Sequence, residues 1–158
     1  MTQFDKLKKE LTELSRLQVR IGYQQGDLPA RQAGKSGKNA TLLDIAVWNE
    51  LGTQTKDGKQ HIPPRPFLRQ SVDNNQQQIS DFIKKELAGL GNGKTAQQIL
   101  QRLGTYQKGL IQQEIQKGDF TPNAPSTIKK KKSAAPLIDT GRLMQGVNFV
   151  IEEKPNDS

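Results

Sequence analysis

Apolar residues along this chain switch between two periods, and the switching outlines its elements. Phe4, Leu7, Leu11 and Leu14 recur at helical spacing, one stripe of an N-terminal helix. Thr2 and Asp5 stand at capping-box spacing at its start. Val19 and Ile21 then alternate with Arg20 and Gly22, which predicts a strand with one face buried. Thr41 and Asp44 repeat the cap spacing before Leu42, Leu43, Ile45, Ala46, Val47 and Trp48. These apolar positions run almost all the way round, so they predict a central helix ending at Leu51, with Trp48 in the core. Leu68, Val72, Ile79, Phe82, Ile83, Leu87 and Leu90 mark one long helix closed by Gly89, Gly91 and Gly93. Thr95 with Gln98 opens a second long helix through Ile99, Leu103, Ile111 and Ile115, with Gly118 as its stop. Val147, Phe149 and Ile151 alternate with polar residues and predict a final strand.

The pattern predicts an α+β fold: a small, mostly antiparallel sheet packed against two long helices plus shorter ones. The first and last strands pair with each other in this reading, and further strand falls near His61 or in the glycine-rich loop between Gln24 and Asn39. The chain is one domain over 1–158, with mobile loops at about 24–40 and 119–135 and a frayed C-terminal tail. The 24–40 stretch has little apolar area to offset an ordering cost of roughly 1–2 kcal/mol per residue.

Two stretches carry backbone instructions. Gly52 sits where a helix C-terminus needs a left-handed residue. Pro63, Pro64 and Pro66 each fix φ and remove a donor, which predicts a stiff, extended connector delivering Phe67 and Leu68 to a helix start.

Composition narrows the function. An apolar fraction of 32% is low for a compact monomer, so burial is completed against partners or loops stay loose. No apolar run is long enough for a membrane span, and the N-terminus lacks the pattern of a signal peptide. With no cysteine there are no disulfides or thiolate metal sites, and one histidine, His61, cannot build a histidine metal cluster. No cofactor is expected. The net charge of +8 favours non-specific contact with polyanions. It is concentrated in two loops, Arg31 to Lys38 and Lys129, Lys130, Lys131 and Lys132. No aromatic residue is interleaved with those lysines, so stacking on single-stranded bases has no support.

Three short motifs imitate active sites. Asp139-Thr140-Gly141 matches the aspartic-protease triplet, but those enzymes are β-rich, and Arg142 beside it would depress the carboxyl pKa that proton sharing requires. A cap on a short helix beginning near Gly141 is the better reading. Gly93-Lys94-Thr95 lacks the upstream P-loop glycine, where Ala88 stands, and Gly34-Lys35-Ser36 has Pro29 there. With no nucleophile–base arrangement, the chain is expected not to be an enzyme.

Asn49-Glu50-Leu51-Gly52-Thr53, Ile62-Pro63-Pro64-Arg65-Pro66-Phe67-Leu68-Arg69 and Pro136-Leu137-Ile138-Asp139-Thr140-Gly141-Arg142-Leu143 together resemble tailed-bacteriophage morphogenesis proteins. The group is that of tail-completion and neck proteins, including the minor tail Z type and the Mu-like virion morphogenesis type. The resemblance covers roughly Thr41 to Ile151, with Leu51 where phenylalanine is frequent. It implies a structural protein of the virion that completes or caps the head-proximal end of the tail and joins it to the neck. It further implies a homo-oligomeric ring, a hexamer foremost, assembled in the host cytoplasm against a neck or head-completion protein and the tail tube protein. Arg65, Phe67 and Arg69 are the expected interface residues, with the alternative that Phe67 fills the local core and both arginines are solvated. Lys129–Lys132 are the expected contact with DNA in the lumen or with acidic partners. A basic nucleic-acid-binding accessory protein is the other reading.

Overall fold

A computed structural model describes residues 2–23, 41–54, 56–58, 60–62, 64–117 and 140–155. The loops expected at 24–40 and 119–135, the Arg31–Lys38 and Lys129–Lys132 basic stretches within them, Gly118, Pro63 and Asp139 lie outside the described residues.

Helix α1 (Gln3–Arg16) begins at a complete capping box, with the Thr2 side chain accepting from the Asp5 amide and the Asp5 side chain accepting in return. Strand β1 (Leu17–Gly22) follows without a loop. Helix α2 (Leu42–Leu51) has the same box between Thr41 and Asp44. A small hairpin comprises β2 (Thr53–Gln54) and β3 (Gln60–Ile62), antiparallel, with Gly58 at φ 82° in the turn. Then come α3 (Phe67–Asp73), α4 (Gln76–Ala88), a 3₁₀ turn at Gly89–Asn92 and the 22-residue α5 (Ala96–Lys117). Thr95 and Gln98 form the expected reciprocal cap on α5. Helix α6 (Thr140–Gly146) and strand β4 (Asn148–Glu153) complete the order.

The first and last strands do pair. β1 runs antiparallel to β4 in a register from Leu17 opposite Glu153 to Gly22 opposite Asn148. Val19, Ile21, Phe149 and Ile151 share one face of this sheet by the two-residue period, and both strands pack on α5. On the other face Gln18 and Arg20 hydrogen-bond to Glu152. The fold is α+β and mostly helical, with helices against one face of a two-stranded antiparallel sheet.

Close approach of sheet and helix depends on Gly104. A Cβ at this position would come within 2.5 Å of Cγ of Phe149, so the ring occupies the space a side chain would fill. A second tie joins α4 to α5: Glu86 has no exposed surface, and its Oε2 takes both Lys94 Nζ and Arg102 Nε at 2.9 Å. The two cations are partly exposed and form the lid over the carboxylate.

Three expectations are corrected. The long helix from Leu68 is two helices, broken at Asn74–Asn75. There the Asn75 side chain donates to the Ser71 carbonyl at 2.8 Å while its backbone amide turns to Val72. Asparagine side chains compete with the helix ladder in this way, and Asn75 leaves helical dihedrals at φ −129°, ψ 22°. α2 is not enclosed all round. Leu42, Ile45, Ala46 and Asn49 are buried, whereas Leu43, Val47, Leu51 and Trp48 are exposed. Trp48, expected in the core, is 39% exposed. Finally, the α1 stripe is only partly covered: Leu7 and Leu14 are half-buried, whereas Phe4 is 72% and Leu11 49% exposed. Polar contacts also hold the helix, Glu10 accepting from the Ala96 amide and Gln3 donating to the Gly91 carbonyl.

Candidate functional site: the motif junction

The core sits where α2, α3, α5 and α6 meet. Leu42, Ile45, Ala46, Phe67, Ile111, Ile115, Leu143 and Val147 form it. Three sequence segments that carry recognisable motifs, distant along the chain, contribute to this one cluster or its polar frame.

The first segment closes α2. Asn49 is fully buried, and its side-chain amide donates to the Ile45 carbonyl at 2.9 Å. Its own backbone carbonyl accepts from the Arg65 amide, joining the helix end to the connector. Gly52 donates to the Trp48 carbonyl at 2.8 Å and has φ 76°, ψ 173°. Positive φ was expected there; the extended ψ puts it outside the αL well, in a region essentially confined to glycine.

The second segment is the connector. Pro66 is not simply extended: at φ −79°, ψ 65° it centres an inverse γ-turn closed by the Phe67 amide on the Arg65 carbonyl at 2.8 Å. This turn feeds directly into α3, whose first helical bond runs from the Gln70 amide to the Pro66 carbonyl. Proline cannot supply a side-chain cap, and α3 has none of its own. The cap comes from α2: Glu50 Oε2 accepts from the Leu68 amide and Oε1 from the Arg69 amide, both at 3.1 Å. A carboxylate there satisfies two orphan donors and lies at the favourable end of the helix dipole.

The third segment supplies Leu143, fully buried on α6. Tyr23, just past β1, donates to the Leu143 carbonyl at 2.6 Å and stands edge-on to Phe67 at 6.1 Å. Burial first, and the negative charge of Glu50 second, push the Tyr23 phenol well above its ordinary value.

The expected interface residues fall in different places. Phe67 is fully enclosed in the core, the alternative already named for it. Arg65 is buried rather than solvated, and burial pulls its guanidinium below its ordinary value. Only Arg69 is exposed. Of the late motif, Gly141 and Arg142 are exposed at the start of α6, the short helix that was expected there.

Tyr23, Leu143's neighbour, carries no signal in the sequence, because a lone tyrosine after a strand has no local signature. Gly146 is missed in sequence as well: a Cβ there would meet the Leu42 side chain and come within 3.4 Å of the Tyr23 ring. A glycine ending one helix beside a capped second helix was the available clue.

Chemically, the junction's polar groups are committed to backbone: Glu50 to two amides, the Tyr23 hydroxyl to a carbonyl, the Asn49 amide to a carbonyl. Among the described residues there is no group of three or more His, Asp or Glu placed to hold a metal ion. No helix among them is long and apolar enough to cross a membrane. Compared with protein-family models, curated proteins and solved structures, the chain matches none.

Proposed function

We propose that this protein is a non-enzymatic structural component of a tailed-bacteriophage virion. It completes or caps the head-proximal end of the tail and joins it to the neck, as a homo-oligomeric ring. The observation that carries this reading is the junction itself. The Asn49–Thr53 and Ile62–Arg69 motifs are physically locked through Asn49 and Glu50, and the late motif adds Leu143 to the same core. Motifs that resemble those of tail-completion and neck proteins thus act here as one architectural unit. Exposed apolar side chains on α1, α2 and α3 favour assembly with partners over a solitary monomer. The partners in this reading are neighbouring copies, a neck or head-completion protein and the tail tube, with the basic loops facing lumen DNA or acidic protein surfaces.

Electron microscopy of particles assembled without this protein tests the proposal. Filled heads and finished tails that fail to join are expected; normal joined virions would refute it. A nucleic-acid-binding accessory protein would instead shift labelled DNA with steep salt dependence and leave heads and tails joined.

A further inference from the structure

An apolar groove lies beside β1, walled by α2 and α3 and floored by α4 and α5. It consists of two cavities, of about 340 and 320 Å³, that share Ile21 and Leu68 as a common wall. One is bounded by Val72 and Ile79, the other by Leu43, Val47 and Leu51. Leu43, Val47 and Leu51 recur at every fourth residue, so they form one exposed flank of α2. Among the described residues lining both cavities, Glu50 is the only charged one.

Elsewhere the chain carries a ridge of matching chemistry. Phe4 and Leu11 of α1 are exposed at 72% and 49%. Leu11 is seven steps along the helix from Phe4, so the two stand about 10 Å apart on one face. Lys8 lies between them on that face, exposed. The ridge thus presents apolar, cationic, apolar; the groove presents two apolar cavities with a carboxylate in the wall of one.

We propose that α1 of one copy of this chain docks in the α2–β1–α3 groove of a second copy. Phe4 and Leu11 enter the adjoining cavities, and Lys8 faces Glu50. The two surfaces are different parts of the molecule, so the contact is heterologous and propagates head to tail into a ring or filament. This deepens the ring reading above and depends on it only for the contact's place in a particle. A ridge of two side chains in one groove is at the small end of specific interfaces, so assembly should be concentration-dependent.

Light scattering and sedimentation of the full-length protein over a range of concentrations test this. The ridge variant is Phe4→Asp with Leu11→Asp; the groove variant is Val47→Asp with Leu51→Asp. All four side chains are exposed, so each variant should melt as the parent does. Each alone is expected to weaken self-association by more than about a hundredfold. Mixed one to one they should form a dimer and stop there, because the ridge variant keeps a sound groove and the groove variant a sound ridge. Lys8→Glu, the mildest change, should cost about tenfold in affinity with unchanged melting. A carbodiimide should join Lys8 to Glu50 between isotopically distinct chains. A protein that stays monomeric at high concentration, variants that associate like the parent, or a mixture that gives no dimer would each overturn the docking. Particles that join normally without the protein would overturn the ring reading and leave the docking standing.

Discussion

Removing the Glu50 carboxylate should unseat the start of α3. Glu50 reaches across from α2 to accept from the Leu68 and Arg69 amides, each at 3.1 Å, and the preceding Pro66 offers no cap of its own. Losing a side-chain N-cap costs about 0.5–2 kcal/mol, and hydrogen bonds to a charged group are worth about 1.5–3 kcal/mol each. Water can reach the freed amides in part, so Glu50→Ala should cost about 2–3 kcal/mol rather than the full sum. Glu50→Gln keeps one acceptor oxygen and loses the charge, and should cost about 1 kcal/mol. In urea the midpoint should fall in that order with an unchanged slope. A loss of 2 kcal/mol in a domain of this size corresponds to a melting temperature lower by about 4–8 °C.

A local readout separates this mechanism from general damage: hydrogen exchange at the Leu68 and Arg69 amides should accelerate beyond what the global loss explains. Stability within about 0.5 kcal/mol of the parent for Glu50→Ala, with both amides still protected, would refute the cap.

Gly104→Ala pits helix propensity, worth about 1 kcal/mol in alanine's favour, against overpacking of Phe149 at about 1–3 kcal/mol. A net loss of stability is expected, smaller when Phe149 is also replaced by leucine; a stabilised single variant would show that the ring has room to move. The Lys94 hydrogen bond foremost, with Arg102, holds the Glu86 carboxyl below its ordinary 4.5. A carboxyl depressed in the folded state stabilises it above the unfolded value, and that contribution disappears as pH falls through the depressed value. Urea midpoints of the parent should therefore fall on acidification below about pH 4.5 more steeply than those of Glu86→Gln, and parallel pH curves would contradict the assignment.

Local signals were legible wherever the cause was local. The three capping boxes at Thr2, Thr41 and Thr95 formed as their spacing demanded, and the two-residue periods at Val19–Ile21 and Phe149–Ile151 gave strands that pair with each other. Failures came where a tertiary partner decides. The break at Asn74–Asn75 has a local share, the Asn75 side chain donating four residues back to Ser71, and a tertiary one, the Asn74 side-chain amide donating to Glu114 Oε1 at 3.4 Å on α5. Apolarity around α2 was visible, but not which flank the core would take; the i, i+3, i+4, i+7 set Leu42, Ile45, Ala46 and Asn49 went inside with a polar residue among them, and Trp48 did not. The stripe on α1 was likewise visible, but not that only Leu7 and Leu14 of it would be half-buried, nor the long-range polar contacts in which Gln3 donates to Gly91 and Glu10 accepts from Ala96.

The junction explains why its first two motifs should change together. Pro66 sets the γ-turn that brings α3 in beside α2, and the same proline leaves α3 without a side-chain cap. Glu50 is placed to supply the cap only because the Asn49 carbonyl holds the Arg65 amide one residue away. A proline that stiffens the approach therefore creates a need that a residue on another helix meets. Placing a capping serine at position 66 should make Glu50 dispensable for α3 while loosening the turn that buries Phe67. In Pro66→Ser, Glu50→Ala should then cost less than in the parent, a coupling of about 1 kcal/mol in a double-mutant cycle. Additive losses would mean that the turn and the cap are independent, and that the two motifs meet without acting on each other.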